Sequence, residues 1–396
     1  MNVSTYAFVM VASRLLGKEG YGALAASINL LLVISVGALG LQATAARRIS
    51  AEPEHVGQIE DSILRVTYRA AAALGLILTL LSPVIQRVLN LEHLGTALVI
   101  AACAVPLTLT GGLAGILQGE RRWAALGLLY LMTGVPRLVI GSLLIAWRPT
   151  ELWSLLGVAI SFCAPVVVGF WALRNRRRPH VAHPAHTGMA LLKESIRNGQ
   201  ALFAFFALSS VDIIVARNVM PNDESGLYAG GLILTKAMLF LPQFVVIVAF
   251  PSMATGSERR RALVVSLSLV ATLGTVGTLA AWALSGIAIR FVGGDDFAAV
   301  EPRLWVFAIL GTLLSMIQLL VYSVLARQGK RSVYVVWLAL VALVGLGLTA
   351  DSVLSLVTIV VLVDVALLVV LLAISAWFLR EGASATEETV PAGVPQ

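Results

Sequence analysis

Charge is what this sequence has least of. Asp, Glu, Lys and Arg make up 12% of its 396 residues while hydrophobic residues make up 59%. A soluble domain, in which about a quarter of the residues are charged, is excluded. Cysteine is almost absent: Cys103 and Cys163 lie inside apolar runs, with neither the spacing of a metal site nor an extramembrane place for a disulfide. No glycine-rich phosphate loop with its lysine is present, which argues against direct use of ATP. No basic segment precedes the first apolar run, which therefore reads as a permanent span rather than a signal peptide. The net charge of +7 would suggest nucleic acid in a soluble chain, but here the basic residues sit mostly in short loops between apolar runs, and nucleic acid is discounted.

What is there is a succession of long apolar runs. Crossing roughly 30 Å of hydrocarbon takes about twenty residues. Such runs are read at 1–16, 22–42, 70–89, 94–117, 123–147, 152–173, 201–220, 227–250, 262–291, 304–325, 333–348 and 353–379. The expectation is an all-α polytopic membrane protein of about twelve transmembrane helices. The longest connection, Arg-rich and then Pro- and His-containing, falls between the sixth and seventh runs. It divides the chain into a six-helix bundle (1–173), a basic linker (174–198), a second six-helix bundle (199–380) and a tail (381–396) too poor in apolar residues to bury a core. His180, His183 and His186 have a spacing that could hold a metal, but the tract adjoins an Arg cluster and reads as a solvated linker; no metal and no cofactor are expected.

The two bundles look like copies of each other. Val11 to Leu24 is echoed by Val215 to Tyr228 at a constant offset of 204 residues, with Glu19 meeting Asp223 and Gly22 meeting Gly226. Each copy reads as helix, tight turn, helix, punctuated by Gly17-Lys18-Glu19-Gly20 or Pro221-Asn222-Asp223-Glu224. A second echo pairs Gln118-Gly119-Glu120-Arg121 with Gln328-Gly329-Lys330-Arg331. The partner of the first span begins near Ala201, a start that by the first offset would fall before Met1, so the first span is short. An even number of spans per copy makes this a parallel repeat about an axis along the membrane normal, with a central cavity between the halves as the expected binding site.

Basic residues alternate from loop to loop. One set carries Arg47, Arg48, Arg65, Arg69, Arg121, Arg122, the Arg174 to Arg197 cluster, Arg259, Arg260, Arg261, Arg327, Lys330 and Arg331; the other is poorer in them and holds Asp223, Glu224, Asp295, Asp296 and Glu301. The positive-inside rule then puts both termini in the cytoplasm, with the chain in the cytoplasmic membrane.

Four charges fall near the middle of spans, where each costs on the order of 2.5 to 3.5 kcal/mol on insertion scales. They are Arg137, Asp212, Lys236 and Asp364. Arg137 and Lys236 are candidates for holding an anionic group in a wet cavity; Asp212 and Asp364 are candidates for a coupling site or a cavity ion pair. Asp212 and Lys236 lie at matched depth on neighbouring antiparallel helices, so a buried pair that only fixes helix register is the plainer alternative. Arg14 and Arg217, near a membrane face, are read as snorkelling structural residues. Pro83, Pro106, Pro136, Pro165 and Pro242 favour kinks. Asn29, Tyr130, Gln243 and Gln318 could line a cavity or bond neighbouring helices. A glycosyltransferase using Asp295 and Asp296 is conceivable, but those loops are too short to build an active site over the membrane, so the chain is not expected to be an enzyme.

The segment Ala12 to Gly22 resembles the first-turn signature of Wzx-type polysaccharide flippases, and Val211-Asp212 through Gly226-Leu227-Tyr228 resembles its counterpart in the second half. Ala249-Phe250-Pro251 and Ile289 to Phe297 are similar to that family's patterns at the ends of the eighth and ninth spans. The resemblance runs to about Leu379 and implies a member of the multidrug, oligosaccharidyl-lipid and polysaccharide exporters. The cargo it implies is a polyprenyl-diphosphate-linked oligosaccharide, moved between leaflets by alternating access. Membrane lipids and polysaccharide polymerase and glycosyltransferase components are the other partners it suggests. A cation-coupled multidrug exporter, for which a carboxylate-dominated cavity is expected, and a non-transporting scaffold with closed ion pairs stay open as alternatives.

Overall fold

In a hydrocarbon environment every backbone N–H and C=O has to be satisfied within the chain, and for apolar runs without strand alternation the α-helix does this. The computed structural model describes residues 2–174, 188–240, 259–326 and 331–387, and among them it has helices and no strands. The first half holds α1 (Asn2–Ala51), a 3-10 turn (Pro53–His55), α2 (Val56–Leu80), α3 (Ser82–Val88), α4 (Leu94–Gly119), α5 (Trp123–Pro136), a π-helical segment (Arg137–Gly141), α6 (Ser142–Trp147) and α7 (Glu151–Leu173). The second holds α8 (Gly188–Val219), α9 (Asn222–Phe240), α10 (Arg259–Ala283), α11 (Ser285–Val292), a 3-10 stretch (Asp295–Arg303), α12 (Leu304–Ala326), α13 (Arg331–Gly347) and α14 (Val353–Glu387).

Nine helices among the described residues are long and apolar enough to cross a membrane. The first of them, α1, has 50 residues. At about 1.5 Å per residue it would run far beyond one bilayer. Its break is Gly17, at φ 65° and ψ −178°, a backbone conformation that a residue without Cβ adopts cheaply. α1 thus supplies two crossings, and α9 and the shorter apolar α13 complete the expected twelve. The two repeat turns are economical: a single non-helical glycine in the first copy, and a break at Met220 and Pro221 in the second, after which Asp223 and Glu224 occupy the favourable first turn of α9.

Two spans differ from their reading in the sequence: the ninth, read as 262–291, ends at Ala283, and α11 follows it as a separate short helix. The third begins at Val56, not near residue 70, and α3 is a separate short helix that starts just before Pro83. Hydropathy misplaced it because the first turns of α2 carry Glu60, Ser62 and Thr67, and the structure buries all three within the protein. Arg65 and Arg69 accordingly lie on a helix and not in a loop. Pro106 and Pro165 stay inside continuous helices, whereas Pro136 is followed at once by the π-helical segment. Pro242, Gln243 and the 249–251 motif lie outside the described residues. So do His180, His183 and His186; α8 begins at Gly188, and α14 continues to Glu387.

Close helix packing uses small residues. On α4, Gly111, Gly115 and Gly119 fall on one face and lie against α1, where an added Cβ would come within 2.6 Å of Ala38 Cβ, 2.7 Å of Ala45 Cβ and 2.7 Å of Ile49 Cβ. Small residues at this spacing let helix backbones approach where lipid offers no hydrophobic drive. The second half repeats the device at Gly311 of α12, whose Cβ would meet Met238 Cβ of α9 at 2.6 Å.

The halves join mainly through α1, which packs on α8 and α9. The largest hydrophobic core is shared: Phe8, Ala12, Tyr21 and Leu24 of the first half lie in it with Ile213, Ala216, Tyr228 and Leu232 of the second. Toward the basic loops the first half has cores of its own, built on Ile59, Ile63 and Ile116 and on Leu113, Leu117 and Leu129.

Candidate functional site

The four mid-span charges fall into two separate places. Arg137 opens the π-helical segment directly after Pro136, where the missing amide of the proline ring loosens the helical ladder. A π turn of this kind is frequent at functional sites. The segment is pinned from both sides at Gly141: an added Cβ would meet the Phe8 ring at 2.6 Å, and a Cβ on Gly157 of α7 would meet Gly141 Cα at 2.7 Å. The Arg137 guanidinium lies over the Phe162 ring of α7, 4.7 Å from its centroid. That contact satisfies a cation with a π face and leaves its donors available. Its Nε is buried without a hydrogen-bond partner, and among the described residues no carboxylate pairs with it.

The other three charges meet in the second half. Asp212 of α8 is 3% exposed; it accepts from the Tyr228 hydroxyl at 3.0 Å and from the Ile213 backbone N–H at 2.9 Å. Lys236 of α9 donates to the Ser209 carbonyl, one turn before Asp212. Asp364 of α14 is 0% exposed, and both its carboxylate oxygens lack a hydrogen-bond partner. Asp212 and Lys236 act on Asp364 electrostatically from close by. The simple Asp212–Lys236 pair is not what the structure has: among the described residues no carboxylate lies at ion-pair distance from Lys236, and each member takes a different partner. No hydrogen bond or ion pair among the described residues joins Arg137 to this cluster.

Sequence reasoning missed Tyr228, Ser209 and Phe162 as members of these sites. Tyr228 carried a signal, since it lies eight residues before Lys236 and so on the same face of α9. Arg217 differs from its expected role: it does not snorkel but is buried at 2% exposure against the first half. Of the remaining polar candidates, Tyr130 bonds with Gln42, which also bonds Gln118. Asn29 donates to Ala25 O, a bond within its own helix, and its Oδ1 is buried without a partner. Gln318 is buried, and Asp295 and Asp296 are exposed on the 3-10 stretch after α11.

A duplicated bundle of apolar helices with charges held at mid-depth is the architecture of a multi-pass membrane protein, and solved structures share its fold. The chain resembles an inward-facing multidrug resistance MATE family transporter of the MOP superfamily, with TM-score 0.76 and 14% identity over 98% of this chain and 96% of that one. It also resembles a MOP superfamily transporter from Pyrococcus furiosus described as having a binding pocket of reverse polarity, with TM-score 0.64 and 13% identity over 96% of both chains. A third resemblance is to an outward-facing MATE family transporter, with TM-score 0.57 and 14% identity over 98% and 96%. No curated protein sequence matches the chain. By sequence the chain belongs to the polysaccharide biosynthesis protein family, whose model matches residues 3–257.

Proposed function

We propose that this transporter is a flippase for a polyprenyl-diphosphate-linked oligosaccharide, carried from the inner to the outer leaflet of the cytoplasmic membrane by alternating access, with both termini and the 174–198 linker in the cytoplasm. The observation that carries this reading is Arg137, a mid-span cation with a buried donor unpartnered and, among the described residues, no carboxylate paired with it. A cation kept without a counter-charge is costly in a membrane unless an anionic cargo supplies one. A diphosphate is such an anion, and a guanidinium fork suits its oxygens. Lys236, half-buried, is the second cation within reach of a cargo lying between the halves. Membership of a polysaccharide biosynthesis family supports the sugar-bearing cargo, and polymerase and glycosyltransferase components are the partners that such a cargo would require.

Asp212 and Asp364 take the coupling role in this reading. Asp364 in particular is a carboxylate whose two oxygens have no hydrogen-bond partner among the described residues, able to take a proton or a cation and give it up again. The same observation favours a second reading, a cation-coupled multidrug exporter, in which the acidic cluster would be the cargo site and Arg137 would be structural.

The test is leaflet translocation of a fluorescent polyprenyl-diphosphate oligosaccharide in proteoliposomes, with wild type, Arg137→Ala and Lys236→Ala at matched folding. Translocation lost in both variants supports the cationic site. Translocation by both variants at wild-type rate overturns it, and a folded wild type that moves drug cations but not this cargo selects the exporter.

A further inference from the structure

The end of the molecule that carries the acidic loops is held shut by bonds between the halves, and those bonds follow the sequence repeat. Helix α3 ends at Val88, and a helix C-terminus leaves carbonyls in need of donors. The donors come from the end of α8 in the other half. Arg217 donates through Nε to Leu89 O and through Nη2 to Asn90 O, and Asn218 donates through Nδ2 to Val88 O at 2.6 Å. The counterpart of α3 in the second half is α11, and its Arg290 carbonyl accepts from Arg14 Nη2 at 2.6 Å, from α1. Arg14 and Asn218 are repeat partners at the offset of 204 residues. Each half therefore caps the short helix of the other. Between the two caps the helices α1 and α9 touch at Gly22 and Gly226, themselves repeat partners, where a Cβ on Gly22 would meet Gly226 Cα at 3.2 Å.

The two caps are chemically unequal. Arg14 is exposed, so its bond competes with solvent, whereas Arg217 is 2% exposed and makes two charge-assisted bonds, the one to Leu89 O buried and the one to Asn90 O partly so. Charge around Arg217 adds to the difference: Glu151 and Glu92 of the first half act on it electrostatically, and the Glu92 N–H donates to Glu151 Oε2 at 3.4 Å. One nitrogen of Arg217, Nη1, is buried without a partner, facing the place a Gly22 side chain would take. A fork that leaves a donor unused suits a contact that breaks, because water reached on opening satisfies all three nitrogens and the freed carbonyls as well.

We propose that this reciprocal capping is the latch of the acidic-loop end, and that its buried arm, Arg217 on the carbonyls that follow α3, sets the balance between closed and open while the exposed Arg14 and Asn218 bonds contribute little. The proposal rests on the alternating-access reading. The measurement is double electron–electron resonance in nanodiscs, with spin labels at His93→Cys and Ala298→Cys, one on each half, and with Cys103→Ala and Cys163→Ala removing the native thiols. Wild type is expected to show a short and a long separation. Arg217→Ala should raise the long-to-short ratio roughly tenfold, the worth of a charge-assisted buried hydrogen bond. Asn218→Ala and Arg14→Ala, whose bonds are exposed, should each raise it less than about twofold, as expected for solvent-competed contacts. Because Arg217→Ala removes a buried group and could impair folding, Arg217→Lys, which keeps the charge but not the planar fork that reaches two carbonyls, carries the same test independently, with thermal unfolding followed alongside. If wild type opens and neither Arg217→Ala nor Arg217→Lys changes the ratio, the latch is overturned and alternating access stands, including where melting temperature falls. If wild type and all variants stay at the short separation under every cargo and ion gradient, both are overturned together.

Discussion

Replacing Gly226 by Ala adds one methyl group at the point where α9 crosses α1. That Cβ would lie 2.5 Å from the Lys18 carbonyl carbon and 3.2 Å from its Cα, with the carbonyl oxygen nearer still. Carbon atoms pack best at about 3.5 to 4.0 Å, so the crossing has to widen by roughly 1 Å. The neighbours are backbone, and no side-chain rotation can make room. Overpacking of this kind costs about 1–3 kcal/mol. If the cost falls on the closed state alone, it is a factor of about 5–150 in the balance between states. Gly22→Ala is milder, since its nearest neighbours stand at 3.2 Å and one of them is the end of the Arg217 side chain. Gly37→Ala is the control: nothing lies within 4 Å of its Cβ. Thermal unfolding in detergent, paired with leaflet translocation, should rank the variants Gly37→Ala, Gly22→Ala, Gly226→Ala in order of increasing harm. A Gly226→Ala protein as stable and as active as Gly37→Ala would refute the argument that this crossing is closed at backbone distance.

Two further outcomes are expected. Asp212→Ala removes the acceptor of the Tyr228 hydroxyl and should lower stability by about 1–3 kcal/mol, whereas Asp364→Asn removes a charge that has no donor and should change stability by less than about 1 kcal/mol while abolishing ion dependence of transport; thermal unfolding and translocation under imposed ion gradients separate the two, and equal destabilisation would make Asp364 a structural ion. Lys18 and Asp223 form an ion pair at 3.4 Å between the halves, but their side chains are 37% and 44% exposed. Lys18→Ala should therefore cost less than about 1 kcal/mol, and a larger loss in denaturant unfolding would show that the pair is shielded from water.

The spans were legible because a helix in lipid must be apolar over about twenty residues, and among the described residues every run but the third falls on the long helix it names, the ninth also taking in α11. The third was displaced because Glu60, Ser62 and Thr67 are shielded by protein, a fact about α4 and α1 that no window on α2 contains. Duplication put Gly22 and Gly226 in correspondence, yet only the fold shows that corresponding residues touch. The mid-span charges were visible one by one as violations of apolar composition. Their partners were not: Lys236 bonds a backbone carbonyl and Arg217 bonds two, and carbonyls leave no mark in a sequence. Asp212 found a tyrosine whose hydroxyl reads in sequence as one more aromatic of an apolar helix.

The π turn at Arg137–Gly141 has a bearing on how the whole fifth span is read. One additional residue in a turn advances everything downstream by about 100° of helical phase. Leu131 and Leu143, twelve positions apart, would differ by about 120° on an unbroken helix, but they are 48% and 64% exposed and share the outer surface of the bundle. Discounting the additional residue brings them to within about 20° of each other. The insertion thus works as a phase corrector: it lets a span with a loosened middle keep its lipid-facing stripe from Trp123 to Trp147, and a helical wheel drawn through residue 137 would misplace the last ten residues by about 100°.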